Sequence, residues 1–286
     1  MNVLILGGNG YIGSKIVRAF IKEGHLVVCT KRKNSDLTRV ADINEKIKWI
    51  PASLDALDAV TQHITFDYVL NMACNYGRAD ISYRNVLNAN IEFPLQVLDI
   101  MVEKGTKNFL TIGTGLPDNL NMYSFSKKML GEFGKFYADK KKINFYNLRL
   151  EMFYGADEPK ERFLPLIITK MINGEPVETT LGTQHRDIIA TKDVEKAIMM
   201  IVKSNLKGYC EIPVGTGIAP TIAEVIDYIW LETGKKSEVR KGVIPMRCDE
   251  PDCIANTSIL CGIGTWNPVP WKQGIKNMIC EIGRAK

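Results

Sequence analysis

Tyr123 and Lys127 stand four residues apart in "MYSFSKKMLGEF" (122 to 133), so on a helix they share one face. Thr114 comes just after the apolar run "NFLTIG" (108 to 113). A hydroxyl at the end of a strand, followed by a phenol and an ammonium on the next helix, can converge on a carbonyl oxygen to polarise and protonate it. Tyrosine ordinarily titrates near pH 10, and bringing it near 7 takes about 4 kcal/mol of differential stabilisation. A neighbouring ammonium and a positively charged cofactor ring supply interactions of that kind. Tyr137 and Lys141 repeat the spacing, but they follow no apolar run and sit at a lysine-rich helix end, so they are assigned to the surface.

Reducing a carbonyl needs a hydride donor, and "NVLILGGNGYIG" (2 to 13) offers a place for one. An apolar strand, a glycine turn and then a helix direct backbone N–H groups at a pyrophosphate. The glycines satisfy both Gly8-x-Gly10-x-x-Gly13 and Gly7-x-x-Gly10-x-x-Gly13. Twenty residues after Gly10 stands Thr30, followed by Lys31, Arg32 and Lys33. An acid at this place would accept from a ribose 2′-hydroxyl, whereas a hydroxyl with three cations suits a 2′-phosphate, so the pattern favours NADP(H) over NAD.

These residues must be held by an open sheet. Runs at 2–6, 26–30, 67–73, 108–113 and 143–150 are continuously apolar, as strands covered by helices on both faces are. Between them Ile12, Ile16, Ala19 and Phe20, and later Val86, Ala89, Phe93 and Val97, fall at helical spacing. The expected fold is α/β, a Rossmann-type doubly wound parallel sheet with a smaller C-terminal lobe. Beyond residue 155 Pro and Gly gather in turns such as "NGEP" and "IPVGTGIAP". Residues 1–155, with 186–215 returning, form the expected dinucleotide domain, and 156–185 with 216–286 form the second lobe.

Composition excludes several other classes. The 286 residues are 45% hydrophobic and 24% charged, ordinary for a globular chain. No run approaches the roughly 18 apolar residues of a membrane span, and no signal peptide opens the chain, so a soluble, cytoplasmic protein is expected. Seven cysteines without a C-x-x-C pair and three histidines suggest neither a disulfide framework nor a metal site. A net charge of +5 is too slight and too dispersed for a nucleic-acid partner.

Taken together, Gly7-x-x-Gly10-x-x-Gly13, "VLNMAC" (69 to 74), Thr114, Tyr123-x-x-x-Lys127, "LRLEMFYG" (148 to 155) and "QHRDIIATKDV" (184 to 194) resemble the extended short-chain dehydrogenase/reductase family, also called the NAD-dependent epimerase/dehydratase family. The likeness runs from residue 2 to about 275 and implies action on a nucleotide sugar. It implies that Tyr123 is the acid/base, that Lys127 lowers its pKa and holds the nicotinamide ribose, and that Thr114 binds the sugar oxygen. It further implies cofactor contacts at Gly7, Gly10, Tyr11, Ile12, Gly13, Thr30, Lys31, Arg32, Ser53, Leu54, Met72, Ala73 and Cys74. Substrate contacts are implied at Asn75, Met152, Arg186 and Arg247, the two arginines meeting a diphosphate. Arg186 beside Asp187 also reads as a simple ion pair.

Departures from the family pattern narrow the reaction. Gly115 and Leu116 stand where 4,6-dehydratases carry Asp-Glu. Met152 replaces the Asn of many 4-epimerases, and Ser53 replaces the Asp that usually ends the third strand. The chain looks most like the subgroup of CDP-paratose and CDP-abequose synthases, which reduce the C4 ketone of a CDP-linked deoxysugar with NADPH for cell-surface polysaccharide. A 4-epimerase retaining NAD is the alternative, and a cofactor-sensing regulator is a third reading that leaves Tyr123, Lys127 and Thr114 without a use. The resemblance also implies a homodimer through helices near 85–104 and 123–140.

Overall fold

The apolar runs become strands in the computed structural model, which describes residues 1–77, 82–141, 143–246 and 251–284. In chain order the elements are β1 (Asn2–Leu6), α1 (Tyr11–Lys22), β2 (Leu26–Lys31), β3 (Lys48–Pro51), α2 (Leu54–Thr61), β4 (Tyr68–Asn71), α3 (Tyr83–Leu87), α4 (Phe93–Glu103), β5 (Asn108–Ile112), α5 (Met122–Lys141) and β6 (Asn144–Leu150). There follow β7 (Met152–Tyr154), α6 (Phe163–Asn173), β8 (Val177–Thr179), β9 (Ile188–Ala190), α7 (Thr191–Lys203), β10 (Tyr209–Val214), α8 (Ile222–Glu232), β11 (Val239–Lys241), α9 (Ser258–Ile263) and α10 (Trp271–Arg284). The chain divides into two units, Met1–Arg149 with Ile198–Ile212, and Leu150–Ala197 with Pro213–Lys286. The stretch that returns to the first unit is therefore 198–212, against 186–215 in the reading from sequence.

In the first unit seven strands form one sheet in the order β10-β6-β5-β4-β1-β2-β3. Pairing is parallel from β3 through β6. Leu6 is in register with both Thr30 and Asn71, so the ends of β1, β2 and β4 lie at one edge. Order reverses at β1, and open α/β sheets place their ligands at such a switch point, outside the carboxyl ends of the strands. Leu4, Leu6, Val28, Val69, Phe109 and Phe145 carry the core here, packed against Val97, Leu98, Met101 and Leu130 of the helices.

The helical stretch from 83 to 103 departs from the expected face. Residues 88–92 form a wider π-type turn between α3 and α4. Pro94, buried in the first turn of α4, has no N–H to donate toward the preceding turn, which accommodates the extra residue. The buried face is accordingly Val86, Asn90, Pro94, Val97 and Leu98, while Ala89 and Phe93 are only half-buried.

In the second unit β7 pairs with β9, and β8 with β11, both parallel. Helices α6, α8 and α10 bury Leu164, Ile168, Met171, Val225, Ile226, Ile229, Ile275 and Met278 against Tyr154 and Ile188. Thr221 and Glu224 close a capping box at the start of α8.

Packing is close where α5 crosses the sheet: a Cβ added at Gly134 would lie 2.1 Å from the Phe145 ring. Phe145 is fully buried and stacks on Phe109 at 5.3 Å. We expect Gly134→Ala to lower stability by about 1–3 kcal/mol in urea denaturation through overpacking. Gly283→Ala, which meets nothing within 4 Å, should leave it unchanged or slightly raised. Equal midpoints for the two variants would contradict this account of the α5 contact.

Candidate functional site

Between β1 and α1 the chain turns at Gly7, whose φ of +74° favours glycine. The Gly10 amide donates to the Gly7 carbonyl at 3.0 Å. A Cβ at Gly13 would lie 2.2 Å from that same carbonyl oxygen, and one at Gly7 would lie 2.9 Å from the Ala73 backbone. Glycine is thus needed here for close approach of one backbone to another. Helix α1 starts with neither a side-chain cap nor an acidic residue in its first turn. Its positive end therefore suits an anion such as a pyrophosphate, and the cradle that side chains would fill fits a dinucleotide.

The neighbouring strand end is basic. Thr30 is 4% exposed within the sheet, and Lys31 Nζ lies 5.9 Å over the Trp49 ring. Arg32 and Lys33 are exposed, and the Arg32 amide donates to Ser35 Oγ at 3.0 Å. Asn9 of the glycine loop donates to the Asp36 carbonyl at 3.0 Å, tying the two loops together. Ser53 caps α2, its Oγ accepting from the Ala56 amide at 3.4 Å, and Leu54 packs on the core.

Thr114 lies two residues beyond β5 and Tyr123 in the first turn of α5. The Leu116 amide donates to Thr114 Oγ1 at 3.2 Å, which leaves the hydroxyl proton to be donated. Lys127 is 3% exposed, and its Nζ sits 5.9 Å from the Tyr123 ring centroid. Burial pushes the Lys127 ammonium below its ordinary pKa, partly offset by the Cys74 thiol. Thr114, Ser124 and Lys127 line one cavity of ≈ 100 Å³ together with Asn147, Arg149 and Glu211. Tyr76, beyond β4, lies against Tyr123 with ring centroids 5.0 Å apart.

A buried amide missed in the sequence holds this arrangement together. Asn90, fully buried in the π-type turn, accepts from the Asn75 amide at 2.7 Å and donates to the Asn75 carbonyl and to Ser126 Oγ, each at 2.9 Å. Ser126 Oγ in turn donates to the Tyr123 carbonyl at 2.7 Å. The loop bearing Met72, Ala73, Cys74 and Asn75 is thereby joined to the helix bearing Tyr123. The available signal was a lone polar residue on the apolar face that begins at Val86, obscured because the π-type turn changes the spacing.

Tyr137 behaves differently. Its hydroxyl donates to Asp99 at 2.6 Å, and burial together with that carboxylate pushes its pKa up to about 12. Bound and hard to ionise, Tyr137 is half-buried against the core of the first unit, where its sequence context indicated an open surface.

Met152 and Arg186 belong to the second unit. Met152 packs beside the Tyr154 cluster. Arg186 is 7% exposed, and its Nη1 donates to the His185 carbonyl at 3.0 Å and to the Pro251 carbonyl. The fully buried Asp187 receives the Thr216 amide and hydroxyl at 2.8 and 2.7 Å, the Gly217 amide at 2.8 Å and the Ala255 amide at 3.3 Å. Arg247 lies outside the described residues. Among the described residues no group of three or more His, Cys, Asp or Glu side chains is arranged to hold a metal ion, and no helix is long and apolar enough to cross a membrane.

Comparison with known proteins gives the family and the fold. Residues 3–212 match the model of the NAD dependent epimerase/dehydratase family. The chain is 28% identical over 287 residues to the CDP-abequose synthase of Salmonella muenchen, covering 97% of this chain and 96% of the relative. Among solved structures, the UDP-glucose 4-epimerase of Thermotoga maritima with UDP-glucose superposes with a TM-score of 0.87 at 20% identity, covering 100% of this chain and 99% of that one. The UDP-glucose 4-epimerase of Thermus thermophilus in complex with NAD gives 0.83 at 20% identity, with both chains covered completely. The seven-stranded architecture is shared with both structures.

Desolvating Lys127 sets up a test on the cofactor-free protein. Its folded pKa is below 10.5, so across the window between the two values the unfolded chain binds more protons and stability rises with pH. Lys127→Met should raise the thermal midpoint at neutral pH, and the gain should shrink as pH climbs toward 10.5. A midpoint lowered equally at every pH would mean that the ammonium is not the strained group.

Proposed function

The chain belongs to the NAD dependent epimerase/dehydratase family, and from that membership we propose that it reduces the C4 ketone of a nucleotide-activated, CDP-linked deoxysugar with NADPH. The observation that carries the reading is the buried Lys127 beside Tyr123, on the helix that follows Thr114. NADPH, when bound, supplies the hydride. Tyr123 donates its proton to the ketone oxygen, and Lys127 lowers the cost of the resulting tyrosinate and holds the ribose. Thr114 donates a second hydrogen bond to the same oxygen, where charge develops. Gly7, Gly10, Tyr11, Ile12 and Gly13 receive the pyrophosphate. Arg32 and Lys33 are exposed where a 2′-phosphate would stand, which supports NADP(H) over NAD.

The Salmonella relative named CDP-abequose synthase spans nearly the whole chain, which supports a CDP-sugar and a place in deoxysugar biosynthesis. Gly115 and Leu116 at the dehydratase positions support reduction without loss of water. Arg186 and Arg247 are assigned to the diphosphate, and Asn75 and Met152 to the sugar. A cytoplasmic protein has the cell's NADPH at hand. A homodimer is supported by aromatic side chains left open on α5, where Phe133 is 43% and Phe136 57% exposed.

Two experiments test these assignments. NADPH absorbance should fall in a 1:1 ratio with 4-keto CDP-sugar consumed, and Tyr123→Phe should lower turnover by roughly 10²- to 10⁴-fold while NADPH affinity holds. A flat trace during turnover, with NAD released on denaturing the protein, would instead support the 4-epimerase. In light scattering, Phe133→Glu should convert a dimeric parent to monomer, and a monomeric parent would contradict the dimer.

A further inference from the structure

We propose that Arg149 is a positioning residue for the reaction: its guanidinium holds the backbone of the loop that carries Thr114, and so sets where the Thr114 hydroxyl points. The proposal rests on the reading of Thr114 as a donor to the ketone oxygen. No role for Arg149 follows from its place in "LRLEMFYG".

Strand β5 ends at Ile112 and α5 starts at Met122, so Thr114 sits on a connection without strand neighbours of its own. The Gly113 amide still reaches the Leu148 carbonyl at 2.7 Å, the last sheet-like bond before the loop. Beyond it Arg149 takes over. Its Nε donates to the Thr114 carbonyl at 3.1 Å, and its Nη2 donates to the Leu116 carbonyl and to Asp118, each at 3.4 Å. The Leu116 amide is the group that donates to Thr114 Oγ1. One planar fork thus holds the carbonyls at 114 and 116, and the turn between them orients the hydroxyl.

The fork is itself anchored on both sides. Arg149 Nη1 donates to Glu211 of β10 at 3.3 Å. Glu211 also receives Asn147 at 3.4 Å and the Tyr209 hydroxyl at 3.3 Å, which fixes the carboxylate on the sheet. On the far side Asp118 takes Lys128 at 2.7 Å, and its carbonyl accepts from Ser124 Oγ at 3.2 Å. Lys128 and Ser124 belong to α5, so sheet, loop and the helix bearing Tyr123 and Lys127 are joined through one side chain. Several of these contacts are long and individually weak. What they supply is direction, since the fork has no freedom to satisfy one carbonyl at the expense of another.

The test uses the full-length protein and four variants: Arg149→Met, Arg149→Lys, Thr114→Ala and the double variant Thr114→Ala/Arg149→Met. Turnover is followed by NADPH oxidation with a 4-keto CDP-sugar, NADPH binding by fluorescence titration, and loop order by hydrogen exchange of peptides spanning 113–121. We expect Arg149→Met to lower kcat roughly 10- to 100-fold, as a small misplacement of a catalytic group does. KM and NADPH affinity should stay within about twofold, and exchange across 113–121 should quicken. Arg149→Lys keeps the charge without the fork and should fall between parent and Arg149→Met. In the Thr114→Ala background, Arg149→Met should cost less than about twofold more, because the donor it positions is already gone.

Losses that multiply in the double variant would overturn the proposal, as would parental turnover by Arg149→Met. Should Arg149→Met fail to fold, Arg149→Lys in both backgrounds carries the same comparison. Unchanged exchange across 113–121 would show that Arg149 does not hold the loop, and would leave the reading of Thr114 standing. Parental turnover by Thr114→Ala would remove that reading and the proposal with it.

Discussion

Lys127 keeps an ammonium out of water on the buried face of α5, and much of the surrounding framework answers to that cost. Moving a charge from water into a protein interior is unfavourable unless close partners compensate it. Among the described residues no carboxylate forms an ion pair with Lys127, which lies beside the Tyr123 ring and Cys74 and lines a cavity with Thr114 and Asn147. The helix is held in this arrangement by contacts away from the ammonium: Leu130 and Ala138 in the core, and Gly134 against Phe145. Asn90 and Ser126 lock its first turns to the loop beyond β4.

The same constraint connects sites that are far apart in sequence. Gly7 packs on the backbone of Ala73, Asn75 is held by Asn90, and Asn90 reaches the Tyr123 carbonyl through Ser126. The cradle suited to a pyrophosphate and the helix suited to proton transfer are therefore joined by one path, a close backbone approach at Gly7 followed by hydrogen bonds from Asn75 to Tyr123. Parallel strands make this economical, because the connections that leave β1, β2, β4 and β5 emerge at the same edge of the sheet.

The sheet was legible in the sequence because strands buried on both faces are written as unbroken apolar runs, and each of the five runs became a strand within a few residues. The glycine loop was legible for a related reason: only glycine tolerates backbone contact as close as that between Gly13 and Gly7. The spacing of Tyr123 and Lys127 identified a shared helix face, and position after a strand separated them from Tyr137 and Lys141. Periodicity failed at 88–92, where a π-type turn moved Asn90 and Pro94 onto the buried face in place of Ala89 and Phe93. Arg149 was illegible because its meaning lies in two backbone carbonyls and two carboxylates from elsewhere in the chain. Asp187 looked like a partner for its neighbour Arg186, yet its carboxylate turns to the amides at 216 and 217, which no local pattern reveals.

In the proposed reaction a hydride leaves NADPH for the ketone carbon and does not return. That transfer can be followed by offering NADPH deuterated at the transferable C4 position together with a 4-keto CDP-sugar, and locating the label by mass spectrometry and NMR. One deuterium is expected on C4 of the product sugar for each NADPH oxidised, and the transfer should be lost when Tyr123 is replaced by Phe. Label that remains wholly on the cofactor while the sugar is converted would contradict it.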